Sequence, residues 1–380
     1  MTSTPDHHQT TLPSSEVEWI REQAVLLGFA DCRIARPDTY DELPHLQAYL
    51  AKGHHGDMQF LTENHDKRAD PSLLVAGTRS VISVRMNYLT TPAPHRHIPD
   101  EPEFGVVARY ARGRDYHKTV RQRLKQLGQR ISQRYGDVMT RPFADSAPIF
   151  EKALAENSGL GWTGKHTLLI HREAGSFFVL GELFTSLQLP FDPPATAHCA
   201  SCDACLRICP PQAIVAPYQL DARRCIAYLT IEFKGSIPLE LRQGIGNRVF
   251  GCDDCQLICP WNRFAQVATV PDFLPRHGLD HTRLLEFWLW SEAEFLEKTE
   301  GSPLRRTGYE AFLRNIAIGL GNAPFSDTLL TALNQRLPDL SPLVAEHAHW
   351  AIGQQKTKQQ EAKQQEAKQN EITQHRIFPD

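Results

Sequence analysis

A mixed α/β domain, then a cysteine-rich segment, then a helical C-terminal part is the architecture this 380-residue sequence predicts. Three observations carry it. β-Branched and aromatic runs alternate with helical runs up to about residue 190. Eight of the nine cysteines fall between 199 and 259. Beyond about 280, apolar residues recur at helical spacing behind Ser-Pro pairs.

The first element is "SSEVEWIREQAVLLGFADCRIA", which reads as a capped helix with Val17, Ile20, Ala24 and Leu27 on one face, followed by a short strand holding Cys32. That cysteine has the setting of a small buried hydrophobe. "SVISVRMNY", "GVVARYA", "HTLLIHREAG" and "SFFVLGEL" read as strands. The helix after "GVVARYA" packs on Val120, Leu124, Leu127 and Ile131. Its opposite face carries Arg121, Arg123, Lys125, Arg130 and Arg134, expected to be an ordinary solvated surface, with an RNA-facing role as the alternative.

A formal charge of −3 excludes a globally basic, nucleic-acid-coating surface, so any RNA must be met by a local patch. The N-terminus shows no positive region leading into an apolar run and no twin arginine, and no uncharged apolar stretch reaches about 18 residues. The expectation is a cytoplasmic protein with no membrane partner. In a reducing compartment, clustered cysteines hold metals or do redox chemistry rather than form disulfides.

"CASCDACLRICP" spaces Cys199, Cys202, Cys205 and Cys209 as C-x2-C-x2-C-x3-C and closes with Pro210. Cys225 follows alone, and "CDDCQLICPW" adds Cys252, Cys255 and Cys259. In bacterial double-cluster ferredoxins the fourth cysteine of each run ligates the other cluster. By that rule Cys199, Cys202, Cys205 and Cys259 hold one [4Fe-4S] cluster, and Cys209, Cys225, Cys252 and Cys255 hold the second. The segment between Cys225 and Cys252 must then be an insertion that brings them together. Tetrahedral zinc is the rival reading of paired C-x2-C steps. Two clusters form a route for single electrons, and spacing alone does not say what lies at its end.

"SPLRRTGYEAFLRNIAIGLGN" and "DLSPLVAEHAHWAIGQQ" look like pieces of one HEAT-like helical repeat, too few to stand alone. Arg305, Arg306 and Arg314 are the candidate basic patch there; a plain helical cap is the alternative. The tail repeats QQEAK with hardly an apolar residue, so it is expected to be disordered or a lone solvated helix.

Six stretches, "FLTENHDKRADP", "YARGRDYHK", "FADSAPIFEKALAENSGLGWTGKHTLLI", "CASCDACLRICP", "RRCIAYLTIE" and "GNRVFGCDDCQLICPWNR", closely resemble the epoxyqueuosine reductase family. The resemblance runs from roughly residue 15 to 353 and leaves out the tail. It implies a nitroreductase-like cobalamin-binding domain over residues 16–194, a ferredoxin-like domain with two [4Fe-4S] clusters over 195–265, and a HEAT-like tRNA-contacting segment over 266–354. Residues 1–15 are left as a flexible lead and 355–380 as the tail. The implied reaction deoxygenates epoxyqueuosine at the wobble position of tRNAs for Asp, Asn, His and Tyr, with an external low-potential electron donor. One chain holds every expected centre, which suggests a monomer.

On matching positions the resemblance implies Asp145 as proton donor, kept protonated by an apolar site, and cobalamin contacts at Arg68, Asp145, Leu169, Cys252 and Asp253. Asp145 also suits the cap of a helix opening near Ala147. Asp115 and His117 are secondary candidates for substrate or proton handling. Gly159, Gly161 and Gly164 are expected to let backbone approach the corrin. No D-x-H-x-x-G cobalamin motif is present, since Val120 stands where the glycine belongs. A reductive dehalogenase and a bare electron-transfer module remain alternatives. The first sits poorly with the absent twin-arginine signal, and the second with the long match through Asp145.

Overall fold

Every residue of the strand Ser80–Asn87 is buried, which is why it forms the centre of the sheet around which the first domain is built. The computed structural model describes residues 11–92, 98 and 100–377, with side chains to 369. The expected flexible lead therefore lies largely outside the described residues, and the first helix, Ser14–Leu26, begins within it. Pro13 precedes that helix without a side-chain cap, so the expected serine cap is absent. Val17, Ile20, Ala24 and Leu27 are buried as the spacing requires.

The sheet runs in the order Asp31–Ala35, Ser80–Asn87, Phe178–Thr185, Thr140–Phe143, and every neighbouring pair is antiparallel. One face presents Cys32, Ile34, Ile82, Val84, Met86 and Leu183 to the helices Ser14–Leu26 and Tyr116–Tyr135. On the latter, Val120, Leu124, Leu127 and Ile131 are fully buried, each contributing about 1.5–3 kcal/mol by the area it removes from water. Gly181 permits this contact: a Cβ there would lie 2.4 Å from Val120 Cγ1. The basic side of the helix is partly spent within the fold, since Arg123 donates to the Leu27 carbonyl at 2.7 Å and Arg130 to Gln23 at 2.8 Å.

The second face packs Val81, Phe143 and Phe184 against Ile149 and Leu154, under the helix Glu151–Asn157. A polar row crosses it, with Arg33 opposite Ser83 and Ser83 opposite Glu182, which is itself opposite Phe143.

The strand Phe104–Val107 leaves this sheet and joins a smaller one. It pairs in parallel with Arg248–Phe250, just before Cys252, and antiparallel with Thr282–Arg283. The three regions of the chain are thereby tied by backbone hydrogen bonds.

In the C-terminal part the helix Tyr309–Asn322 is buried nearly all round, against Leu284–Leu289 and the first turns of Pro342–Ile377. The two repeat-like stretches thus pack on each other and on the cluster segment. Arg314, proposed for a surface patch, is fully buried. Its guanidinium donates to the carbonyls of Leu229, Phe233 and Gly235 at 2.7–2.9 Å. The helical stripe, read on its own, gave no sign that the insertion after Cys225 would cover this side, so Arg314 is a clamp and not part of an RNA face. Arg305 and Arg306 are exposed. The expected break near 355 falls inside one continuous helix, because Val344, Ala348, Ala351 and Ile352 anchor its start and the strong helix formers of QQEAK propagate it.

Candidate active site and cluster cradles

The eight cysteines of this segment lie close to one another. Cys202 N–H donates to the Cys199 carbonyl at 3.0 Å, Cys205 rides on the helix Ala204–Ile208, and Cys255 on the helix Asp254–Leu257. These two short helices pack against each other. Cys199, Cys202, Cys205 and Cys259 line one cavity together with Lys165, His166, His198 and Trp261. Burial raises the Cys205 and Cys259 thiols to about 11, and other cysteines of this set add to both shifts, at Cys259 against a backbone hydrogen bond at Trp261 that lowers it.

The insertion does what was required of it. Cys225 precedes the helix Ile226–Ile231, the chain returns through Leu239–Ile245, and Arg248–Phe250 delivers Cys252. Gly251 makes the final turn at φ +70°, where a Cβ would lie 2.6 Å from that of Ala108. Burial pushes Cys225, Cys252 and Cys255 upward; Cys209 adds to the shift at Cys225, and Cys225 and Cys209 to that at Cys255. Thiols crowded this way are costly to ionise alone, and bound iron relieves that cost. Cys225, Cys209 and Cys205 are thus the thiols that act on Cys255, in that order. Cys32 is 2% exposed within the sheet core, the small hydrophobe expected.

Next to the second cradle, Asp253 is buried and accepts from Arg109 twice, from the backbone N–H at 3.0 Å and from the guanidinium at 2.9 Å. Arg248 pairs with Asp254 at 2.5 Å. Tyr110 is half-buried between this region and Asp145: its hydroxyl is pushed up by desolvation, then by Asp145 and Asp253.

Asp145 sits at φ +60°, a left-handed conformation unusual outside glycine. The following helix starts only at Glu151, so Asp145 is not its cap. Its Oδ2 accepts from Tyr116 Oη at 2.6 Å and faces His117 Nε2 at 3.0 Å, while His117 Nδ1 lies 2.6 Å from Asp115 Oδ1. The two secondary candidates are thus joined to the principal one in a single chain of contacts. Partial burial of Asp145, whose side chain is 48% exposed, opposes ionisation, but His117, Tyr116 and Arg306 outweigh it and its pKa is lowered. His117, against burial, is raised to about 9 by its two carboxylates. These directions favour the carboxylate at Asp145 and the cation at His117, against the expectation of a protonated Asp145. Glu151 accepts from the Asp145 backbone N–H at 3.2 Å and is raised by burial to about 7. Sequence reasoning missed Tyr116 and Glu151, although both stand beside residues it singled out.

The remaining expected contacts divide. Arg68 is 8% exposed; one guanidinium nitrogen donates to the Phe60 carbonyl at 2.9 Å while Nε has no partner. Leu169 is enclosed by Ala155, Leu160, Phe178 and Leu180, which uses up its side chain in the core. The three glycines serve packing within the protein. A Cβ at Gly159 would lie 2.5 Å from the Pro193 carbonyl oxygen, and one at Gly161 2.5 Å from that of Ile170. At Gly164 it would meet Ile170 at 2.6 Å.

Four cysteines around one cavity, with four more in the same segment, beside a charged acid–base site, are the marks of an iron–sulfur oxidoreductase. Residues 198–262 match the model of the 4Fe-4S double cluster binding domain, and residues 68–146 match that of "Epoxyqueuosine reductase QueG, DUF1730". The chain is 54% identical to an epoxyqueuosine reductase of Pseudomonas aeruginosa, covering 90% of this chain and 94% of that one. It is 53% identical to one of Escherichia coli, covering 88% of each. A crystal structure of epoxyqueuosine reductase with an epoxyqueuosine-modified tRNA-Tyr stem loop superposes with a TM-score of 0.82 at 28% identity, covering 90% of both chains. The chain belongs to the epoxyqueuosine reductase family, and its cofactors include two [4Fe-4S] clusters. Among the described residues no helix is long and apolar enough to cross a membrane.

Proposed function

We propose that this chain reduces epoxyqueuosine in tRNA to queuosine. Both C–O bonds of the epoxide break, two electrons and two protons enter, an alkene forms and water leaves. Family membership supports the substrate. The observation that carries the chemistry is the Asp145 carboxylate held between Tyr116 and His117, on the side of the molecule where the second cluster cradle ends.

An epoxide opens to an alkoxide, a far stronger base than any carboxylate, so a proton must be at hand. His117 holds one at Nε2 at neutral pH, and Asp115 fixes its ring through Nδ1. Asp145 passes that proton on: it accepts from His117 and releases to the alkoxide, while Tyr116 holds the carboxylate in place. The left-handed backbone at Asp145 turns its side chain toward this pair.

Cobalamin, when bound, supplies a strong nucleophile and electron source for opening the ring. Arg68, with its uncommitted buried Nε, fits as a holder of such a polar group, and Cys252, Asp253 and Asp145 complete the contacts. Leu169 stays among the proposed contacts, with its side chain in the core. A domain of the nitroreductase type, cytoplasmic location, action as a monomer and an external low-potential donor complete the reading. Exposed Arg305 and Arg306 belong to the tRNA surface; Arg306 also pairs with Glu232 at 3.0 Å.

The test is metal content after anaerobic purification from cells supplied with cobalamin. About eight irons and one cobalt per chain are expected for two clusters and a corrinoid. Full iron without cobalt would overturn the cobalamin reading.

A further inference from the structure

The basic face of the helix Tyr116–Tyr135 has no role in the account so far, and the structure divides it in two. Some of its charges are spent within the fold: Arg123 on the Leu27 carbonyl and Asp272, Arg130 on Gln23, and Arg134 on Glu16. Lys118, Arg121 and Lys125 are exposed, and among the described residues none of the three has an ion-pair partner. Their spacing of three and then four residues sets them in one row along the helix.

That row begins at the site. Tyr116 and His117, in the first turn, hold the Asp145 carboxylate, and one turn further on Arg121 donates to the Ser146 hydroxyl at 3.3 Å. Lys125 carries the row outward by another turn. Asp115, which Lys118 also feels, is engaged by His117 Nδ1 at 2.6 Å. Exposed Arg306, from the C-terminal part, acts on Asp145 as well. Unpaired positive charge from two parts of the chain thus meets at Asp145. A net charge of −3 gives the molecule no general attraction for RNA, so a local excess has to supply it.

We propose that Lys118, Arg121 and Lys125 bind the phosphate backbone of the tRNA anticodon arm beside the nucleotide that enters the Asp145 site. The row covers about 10 Å of helix, a match for about three consecutive phosphates along one strand. Contacts of this kind fix register and carry no sequence information, so one surface serves tRNAs of different sequence that share the modified nucleotide. The inference rests on the functional reading above and adds an RNA-binding surface on the α/β domain, separate from Arg305 and Arg306.

The test is binding of anticodon stem-loop RNA to the full-length, cluster-loaded protein across a salt series. The combined substitution Lys118→Gln, Arg121→Gln and Lys125→Gln is expected to weaken binding about 100-fold at about 0.1 M salt and to lower the slope of log affinity against log salt by about 2, to the same extent for two stem loops of different sequence. The combination Lys356→Gln, Lys363→Gln and Lys368→Gln, an equal change of charge on the exposed C-terminal helix, is expected to leave binding unchanged. Unchanged affinity and slope in the folded first variant overturn the surface, as does a loss no larger than that of the control. A loss confined to one stem-loop sequence would contradict backbone binding. Lys125→Glu alone, on a side chain with no hydrogen bond or ion pair in the protein, keeps the test open if the combined variant does not fold. It should weaken binding about fivefold or more, and unchanged affinity contradicts the proposal. Wild-type protein that binds RNA through the row yet leaves epoxyqueuosine unreduced would sink the functional reading instead and leave the surface standing.

Discussion

His117 Nε2 lies 3.0 Å from Asp145 Oδ2, while its other ring nitrogen is held by Asp115 at 2.6 Å. An imidazole between two carboxylates is stabilised as the cation, and Asp145 is stabilised as the anion by that cation. The His117 contribution to folding is therefore full below its ordinary 6.5 and lost as pH climbs through about 9. The Asp145 contribution works in the opposite sense, present above its ordinary 3.8 and lost on acidification. His117→Gln is expected to flatten the fall of the thermal midpoint between pH 7 and about 9. A fall as steep as in the wild type would show that His117 is not charged by this pair.

Asp145→Asn leaves the backbone turn possible but removes the acceptor for the His117 proton. The rate of epoxide reduction is expected to drop by about 100-fold or more, the usual scale for a positioned proton-transfer group, with both clusters retained. Full activity with normal iron content would remove Asp145 from the mechanism.

Arg314→Met should destabilise the protein by about 3–5 kcal/mol, since three buried carbonyls lose their donor. Arg305→Glu should leave stability within about 0.5 kcal/mol and weaken tRNA binding, lowering the salt dependence of the affinity by about one contact. Denaturant titration and binding across a salt series separate the two. Equal effects of both substitutions on tRNA affinity at matched stability would restore Arg314 to the RNA surface.

The crossed ligand pattern makes a selective prediction. Cys259→Ala, though it sits in the later cysteine run, should damage the cluster held by Cys199, Cys202 and Cys205. Iron should fall from about eight toward about four per chain, leaving one cluster's electron paramagnetic signal intact. Loss of the other signal would mean each run ligates its own cluster.

His166 lines the same cavity; burial, with Lys152 nearby, lowers its pKa to about 4, so it is neutral. Its Nδ1 accepts from the Leu168 N–H at 3.2 Å, which leaves Nε2 as the donor, buried and without a protein partner. Hydrogen bonds to cluster sulfurs raise the reduction potential. His166→Leu should therefore lower the midpoint potential of that cluster in a redox titration, and an unchanged potential would contradict the contact.

The cluster cradles were legible in the sequence because ligand spacing is short-range information: seven of the eight cysteines lie in two dense runs. The leucine stripe of Tyr116–Tyr135 and the buried strand Ser80–Asn87 were legible for the same reason. Asp145, Tyr116 and Glu151 meet through a positive-φ turn that no propensity signals. Arg314 was misread because its burial depends on the insertion after Cys225, which contacts it from about 80 residues away.

The most direct test of the central claim is nucleoside analysis of tRNA isolated after anaerobic incubation with the cluster- and cobalamin-loaded protein and a strong chemical reductant. Epoxyqueuosine is predicted to disappear and queuosine to appear in equal amount with wild-type protein. Epoxyqueuosine recovered unchanged, from protein with full iron and cobalt, would contradict the account.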